Sequence, residues 1–266
     1  MTAAENSGDA KRGGRRFTLY AHRGASGYAP ENTLAAFRKA LELGCPHLEL
    51  DVHLARDGVP VVIHDATLNR TTDGRGRVGG YTLEHLKTLD AGSWFSEEFR
   101  GERIPTLEEV LALAGEGAKF CIEIKGLWRG RLLCRKVVEA IERFAALRST
   151  TISSFHRAPL RELHEMDAAV RRCRLVRRGG NVNRAVRDAV RIGVSVVSLH
   201  ADDINADAVE RIHSQGLGAQ AWGTKNDRQA LARLIADGID SMTSNWPDVV
   251  MDVLHGATKS RGKTKT

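Results

Sequence analysis

Residues 19–65 read LYAHRGASGYAPENTLAAFRKALELGCPHLELDVHLARDGVPVVIHD, and this stretch decides the fold. Three short apolar runs in or beside it each meet residues able to do chemistry. The first, 17–21, leads into His22-Arg23-Gly24; the second, 47–54, carries Glu49 and Asp51; the third, 59–63, ends in His64-Asp65. In a β-strand alternate side chains point to opposite faces, so Glu49 and Asp51 share one face while Leu48, Leu50 and Val52 share the other. Two carboxylates, two histidines and an arginine are thereby expected at one spot. The ordinary reading of such a group is a set of paired core charges. Two adjacent buried carboxylates oppose each other's ionisation, however, and one arginine offsets that only in part. A divalent cation such as Mg²⁺ or Ca²⁺, which prefers carboxylate oxygens, offsets it directly.

Working outward, residues 25–31 read as a loop, and Asn32 or Thr33 can cap a helix with Leu34, Phe37 and Leu41 at helical spacing. Gly44 suits its end. The turn Asp57-Gly58 precedes the strand that leads to His64. Residues 66–105 break the strand–helix rhythm with a glycine-rich patch and the pair Trp94-Phe95, and are expected to be a small insertion beside the mouth. From Thr106 the rhythm resumes. Strands are predicted at 119–124, 151–155, 172–176, 194–199, 217–222 and 239–243, alternating with helices at 107–114, 132–144, 160–166, 182–192, 206–213 and 227–237 and followed by one from Pro247. With the strands at 17 and 47, this makes eight βα units and an α/β fold, a (β/α)8 TIM barrel in which chemistry belongs at the carboxyl ends of the strands.

Composition bounds the function. The chain has 266 residues, 42% of them hydrophobic, which suits one barrel. No apolar run approaches the roughly 20 residues of a membrane span, and the N-terminus lacks an apolar signal core, so no stable membrane insertion and a cytoplasmic location are expected. The net charge is +7, but residues 1–16 and 257–266 together carry +6 of it. These ends are expected to be disordered basic tails flanking a single domain at 17–256. The barrel itself is nearly neutral, which argues against nucleic acid as a partner. Cys45, Cys121, Cys134 and Cys173 show no metal-type spacing and are expected to be free, buried thiols.

His22-Arg23-Gly24, Pro30-Glu31-Asn32-Thr33, Glu49-Leu50-Asp51-Val52, Asp57-Gly58, His64-Asp65, Glu123-Ile124-Lys125, Ser154-Phe155, Trp222-Gly223-Thr224-Lys225-Asn226 and Trp246-Pro247-Asp248 resemble, in order and spacing, the glycerophosphodiester phosphodiesterase family. The resemblance covers roughly residues 17–255. It implies a TIM barrel with an insertion after the second histidine, and a small-molecule glycerophosphodiester, such as glycerophosphocholine or glycerophosphoethanolamine, as substrate. The products would be glycerol 3-phosphate and an alcohol, and the cofactor one divalent cation, Mg²⁺ or Ca²⁺.

Residue by residue, the resemblance makes Glu49, Asp51 and Glu123 the metal ligands and His22 and His64 the general acid and base, without saying which is which. Two groups titrating near neutrality suit a reaction that takes one proton from the nucleophile and gives another to the leaving alkoxide. Arg23 and Lys125 are expected to hold the phosphoryl oxygens, Glu31 to contact the metal site or a glycerol hydroxyl or to brace its loop, and Trp222 to wall the substrate pocket. Related phospholipases leave open a lysophospholipase D or sphingomyelinase D-like activity on the same site, for which Trp94-Phe95 would have to widen the mouth. A non-catalytic binding barrel is the remaining alternative. The chain departs from the family where Ser244-Asn245 stands in place of a common Thr-Asp. The basic run Arg171-Arg172-Cys173-Arg174 with Arg177-Arg178 reads as a solvated face, or as a site for a second anionic group. The sequence leaves the oligomeric state open.

Overall fold

Near-continuous apolar runs belong to parallel strands covered by helices, and the eight predicted here close on one another. The computed structural model describes residues 9–12, 15–115, 117–126, 128–166 and 169–261. In chain order its elements are β1 (Asp9–Arg12), β2 (Arg15–His22), α1 (Leu34–Glu42), β3 (Leu48–Leu54), β4 (Pro60–Val62), α2 (Leu83–Leu86), α3 (Leu107–Ala114), β5 (Phe120–Ile124) and α4 (Gly130–Arg143). There follow β6 (Thr150–Ser154), α5 (Arg157–Glu165), β7 (Arg171–Leu175), α6 (Val182–Arg191), β8 (Val196–His200), α7 (Ala206–His213), β9 (Gly218–Trp222), α8 (Arg228–Ala236), β10 (Ser241–Ser244) and α9 (Pro247–Arg261). Strands β2, β3 and β5 to β10 pair in parallel, and β10 returns to β2, so the sheet is a closed (β/α)8 TIM barrel.

Alternation sorts each strand. Leu48, Leu50 and Val52 join Phe37, Leu107 and Leu133 in the apolar layer between sheet and helices. Their neighbours Glu49 and Asp51, with Glu123, Ser153, Ser198, Gln220 and Thr243, are buried polar groups of the opposite, inward side. Caps fix where helices begin. Thr33 accepts from the Ala36 amide at α1, and Thr106 and Glu109 form a reciprocal capping box at α3.

Two antiparallel strands lie outside the barrel rhythm. After the turn at Gly58, β4 runs back along β3, and the Ile63 amide donates to the Asp51 carbonyl. His64 is thus returned to the level of the acids. The insertion at 66–105 packs its own small core, with Leu68, Val78, Leu86 and Ile104 against Val61 and Ile63. The other extra strand, β1, falls within the expected N-terminal tail and pairs with β2 in the register Ala10↔Phe17. The tail reading at 1–16 is therefore corrected for residues 9–12 and 15–16, because strand β2 offers a free edge there. At the other end α9 continues to Arg261. The rest of both tails lies outside the described residues.

Candidate active site

Strand register assembles the site. In the β2–β3 pair His22 lies opposite Glu49, and in the β3–β5 pair Asp51 lies opposite Glu123. The chain leaves β2 through two residues in the left-handed region, Arg23 at φ 56° and Gly24 at φ 79°. This turn lets the Arg23 amide donate to Glu49 Oε2 at 2.9 Å. It also brings Gly24 so close to α1 that a Cβ there would lie 2.5 Å from the Ala36 carbonyl carbon. Asn32, likewise left-handed at φ 59°, donates from Nδ2 to Asp51 Oδ2 at 2.8 Å. Strained non-glycine backbone at two such positions is held by these contacts.

Glu49, Asp51 and Glu123 are all buried, and one oxygen of each lies within 4.8 Å of the others. Burial, then the neighbouring Asp51 charge, raises the Glu49 carboxyl well above the usual range and lifts Glu123 to about 7. Asp51 goes the other way: against the cost of its burial, the charges of Arg23 and Lys125 hold it well below the usual carboxylate range. Its Oδ1 is buried without a hydrogen-bond partner. Three crowded hard oxygens, one of them unsatisfied, fit a divalent cation.

The histidines flank this cluster. His22 donates from Nδ1 to Asn245 Oδ1 at 2.6 Å and leaves Nε2 facing Glu49 Oε2, 3.9 Å away. Asn245, the departure noted in the sequence, is an amide where a carboxylate is common; it fixes the ring's tautomer without adding negative charge. Burial, with Arg23 nearby, lowers the His22 pKa to about 4. His64 is held by Asp65 Oδ1 at Nδ1, 2.6 Å, and its Nε2 accepts from Lys125 Nζ at 2.9 Å. Burial lowers its pKa also.

The cations complete the arrangement. Arg23 Nε lies 3.1 Å from Asp51 Oδ2 and its NH1 donates to Glu31 at 2.8 Å. Lys125 Nζ lies 2.9 Å from Glu123 and 3.6 Å from Asp51. Trp222 donates to the Val176 carbonyl and sets its ring edge-on to Phe155 at 5.2 Å between centroids. One cavity at the carboxyl ends of the strands is walled by His22, Arg23, Glu49, His64, Glu123, Lys125 and Trp222 together. Asp51 lies beneath Arg23 and Lys125. Glu31 is set back from the cavity, accepting from Arg23 and Arg70. Trp94 and Phe95 are exposed on the insertion and do not wall the cavity.

Several supporting groups escaped sequence reasoning. Arg70 joins Glu31 (2.7 and 2.9 Å) to Asp65 (2.8 Å), and so ties the loops of both histidines to the insertion. Nothing local in the sequence marks it. His53 donates to the His64 carbonyl at 3.1 Å. It follows Glu49 and Asp51 on the same strand face, so the alternation could have found it.

Known proteins resemble this chain in sequence and in fold. Residues 22–249 match the model of the glycerophosphoryl diester phosphodiesterase family. The chain is 38% identical to a glycerophosphodiester phosphodiesterase of Caldanaerobacter subterraneus, over 89% of this chain and 97% of that one. Among solved structures, a phosphodiesterase of Oleispira antarctica in complex with the product sn-glycerol-3-phosphate superposes with a TM-score of 0.81 at 30% identity, covering 89% of this chain and 96% of that one. A glycerophosphodiester phosphodiesterase of Agrobacterium tumefaciens superposes at 0.76 with 28% identity, over 89% and 99%.

Proposed function

Because this chain belongs to the glycerophosphoryl diester phosphodiesterase family, we propose that it hydrolyses glycerophosphodiesters to glycerol 3-phosphate and an alcohol, with one divalent cation, Mg²⁺ or Ca²⁺, held by Glu49, Asp51 and Glu123. The observation that carries the reading is the pair of histidines set on either side of a three-carboxylate cluster in one cavity. Bound there, the cation would polarise the phosphoryl group.

The remaining steps belong to this chain's own side chains. Arg23 and Lys125 bind the phosphoryl oxygens, Arg23 through its fork and Lys125 as a point charge. With Nδ1–H of His22 committed to Asn245 and Nδ1–H of His64 to Asp65, Nε2 is the atom of each ring left to exchange a proton. As a water attacks phosphorus, one neutral ring takes its proton on Nε2. The other, having first taken up a proton on Nε2 from solvent or, for His64, from the Lys125 ammonium, passes it to the departing alkoxide as its bond to phosphorus breaks. Burial keeps both rings neutral near pH 7, so either can begin as the base. Trp222 and Phe155 wall the organic part of the substrate. Lipid tails would need a broad apolar mouth, and the exposed Trp94 and Phe95 stand outside the cavity, so a water-soluble diester is the better fit. All four cysteines are free and buried, which suits a cytoplasmic enzyme.

The test is release of glycerol 3-phosphate from glycerophosphocholine and glycerophosphoglycerol, with EDTA and with Mg²⁺ or Ca²⁺ restored. Release that EDTA stops and one cation restores is expected. His22→Ala and His64→Ala should each lower kcat by at least about a hundredfold in folded protein. Full turnover in either variant would overturn the assignment of the histidines.

A further inference from the structure

Positive charge gathers along one stretch of the cavity wall, from Lys125 past Phe155 to residues just beyond the lining. Phe155, at the end of β6, forms part of that wall, and two cations lie over its ring: Arg177 with its guanidinium carbon 5.2 Å from the centroid, and Lys125 with Nζ at 5.9 Å. A third, Arg174, is half-buried just beneath; it donates to the carbonyl oxygens of Phe155 and Leu175 and leaves a buried Nε without a partner. The acids of this side are already engaged. Asp188 pairs with Arg157 at 3.1 Å and Asp202 with Arg178 at 2.8 Å, whereas no described carboxylate pairs with Arg177, whose side chain is exposed. His156 registers the same field, its pKa lowered by burial and then by Arg177, Arg174 and Lys125.

An alcohol ending in a quaternary ammonium would need a carboxylate or an open aromatic face. Here guanidinium and ammonium groups already lie over Phe155, so that face meets a quaternary ammonium with like charge. From this geometry we infer that the preferred substrates are glycerophosphodiesters whose alcohol carries a second anionic group, a phosphate or carboxylate, received by Arg177 beside Phe155. This rests on the phosphodiesterase reading above and adds only binding; the bonds made and broken are unchanged.

The experiment compares kcat/KM for glycerophosphoglycerol, its terminally phosphorylated form and glycerophosphocholine, in the full chain and in Arg177→Gln. The two glycerol diesters differ by one phosphate. The phosphorylated form is expected to be preferred by about tenfold over its parent, the size of effect one partly exposed charge contact supports, and by more over the choline diester. In Arg177→Gln the preference for the added phosphate should fall below about threefold. Equal use of the two glycerol diesters by the unaltered protein, or a preference that survives in Arg177→Gln, overturns the inference while the phosphodiesterase reading stands. So does a loss shared equally by all three diesters, which would make Arg177 a general attractor of the diester phosphate. If no diester is turned over, that reading fails instead. Calorimetric binding of the same three compounds to His64→Ala then decides the inference, with selective binding of the phosphorylated form sustaining it and equal binding removing it.

Discussion

Arg70 shows how much of this site depends on a residue remote from phosphorus. Its guanidinium reaches Glu31 on the loop that follows His22-Arg23 and Asp65 beside His64, so one side chain spaces the two halves of the mouth. Asp65, held to about 2 by Arg70 and then by His64, stays ionised and keeps the His64 tautomer fixed. Because the Arg70 side chain is 43% exposed, these pairs should add little to stability, less than about 1 kcal/mol. Their effect belongs to alignment. Arg70→Ala should therefore lower kcat by about 10- to 100-fold with the melting temperature nearly unchanged. Arg70→Lys should recover only part of the loss, since a point charge cannot span two carboxylates. Steady-state kinetics and thermal melts on the two variants check both statements, and a parallel loss of stability would return Arg70 to an ordinary structural ion pair.

At the scale of elements, the turn from β2 to α1 is held by close approach. A methyl group on Gly24 would meet the backbone of Ala36 at 2.5 Å with the residue at φ 79°. Gly24→Ala should cost more than about 2 kcal/mol and displace the Arg23 amide from Glu49. Gly80, with open space around it, is the control, and Gly80→Ala should change stability by less than about 1 kcal/mol, read by urea unfolding. These elements were largely legible in the sequence. Alternation at 48–54 located the acids, and helical spacing with the Thr33 and Thr106 caps located α1 and α3, because both signals are local. The insertion was legible only as a break in rhythm, since its core forms across β4. The contacts of Arg70 to Glu31 and of Asn245 to His22 span 39 and 223 residues, and no local pattern encodes a partner at that distance. The strand β1 was lost to its charged, apolar-poor composition, which resembles that of a tail.

For the molecule as a whole, the acid cluster links metal, pH and stability. A carboxyl raised in the fold, as in Glu123 at about 7 and Glu49 well above its usual value, stabilises below its unfolded pKa and loses that contribution as pH rises through the folded one. His22, depressed to about 4, has the opposite sign, with its contribution present above about 6.5 and lost on acidification. Above about pH 6.5 only the carboxylate loss remains, so the metal-free protein should weaken by roughly 1–3 kcal/mol toward pH 8. A divalent cation needs these groups deprotonated and should reverse the loss, so that its stabilising shift in melting temperature is larger at pH 8 than at pH 6. An equal shift at both would separate the cluster from the metal. Closure of the barrel has a further consequence. Asn245, just past β10, supplies the partner of His22, at the end of β2, and β10 lies in register beside β2. On the ribosome the first barrel strand waits, with its edge toward β10 uncovered, for nearly the whole chain to emerge, so a nascent chain stalled before β10 would hold all three clustered acids while His22 still lacked its Asn245 partner.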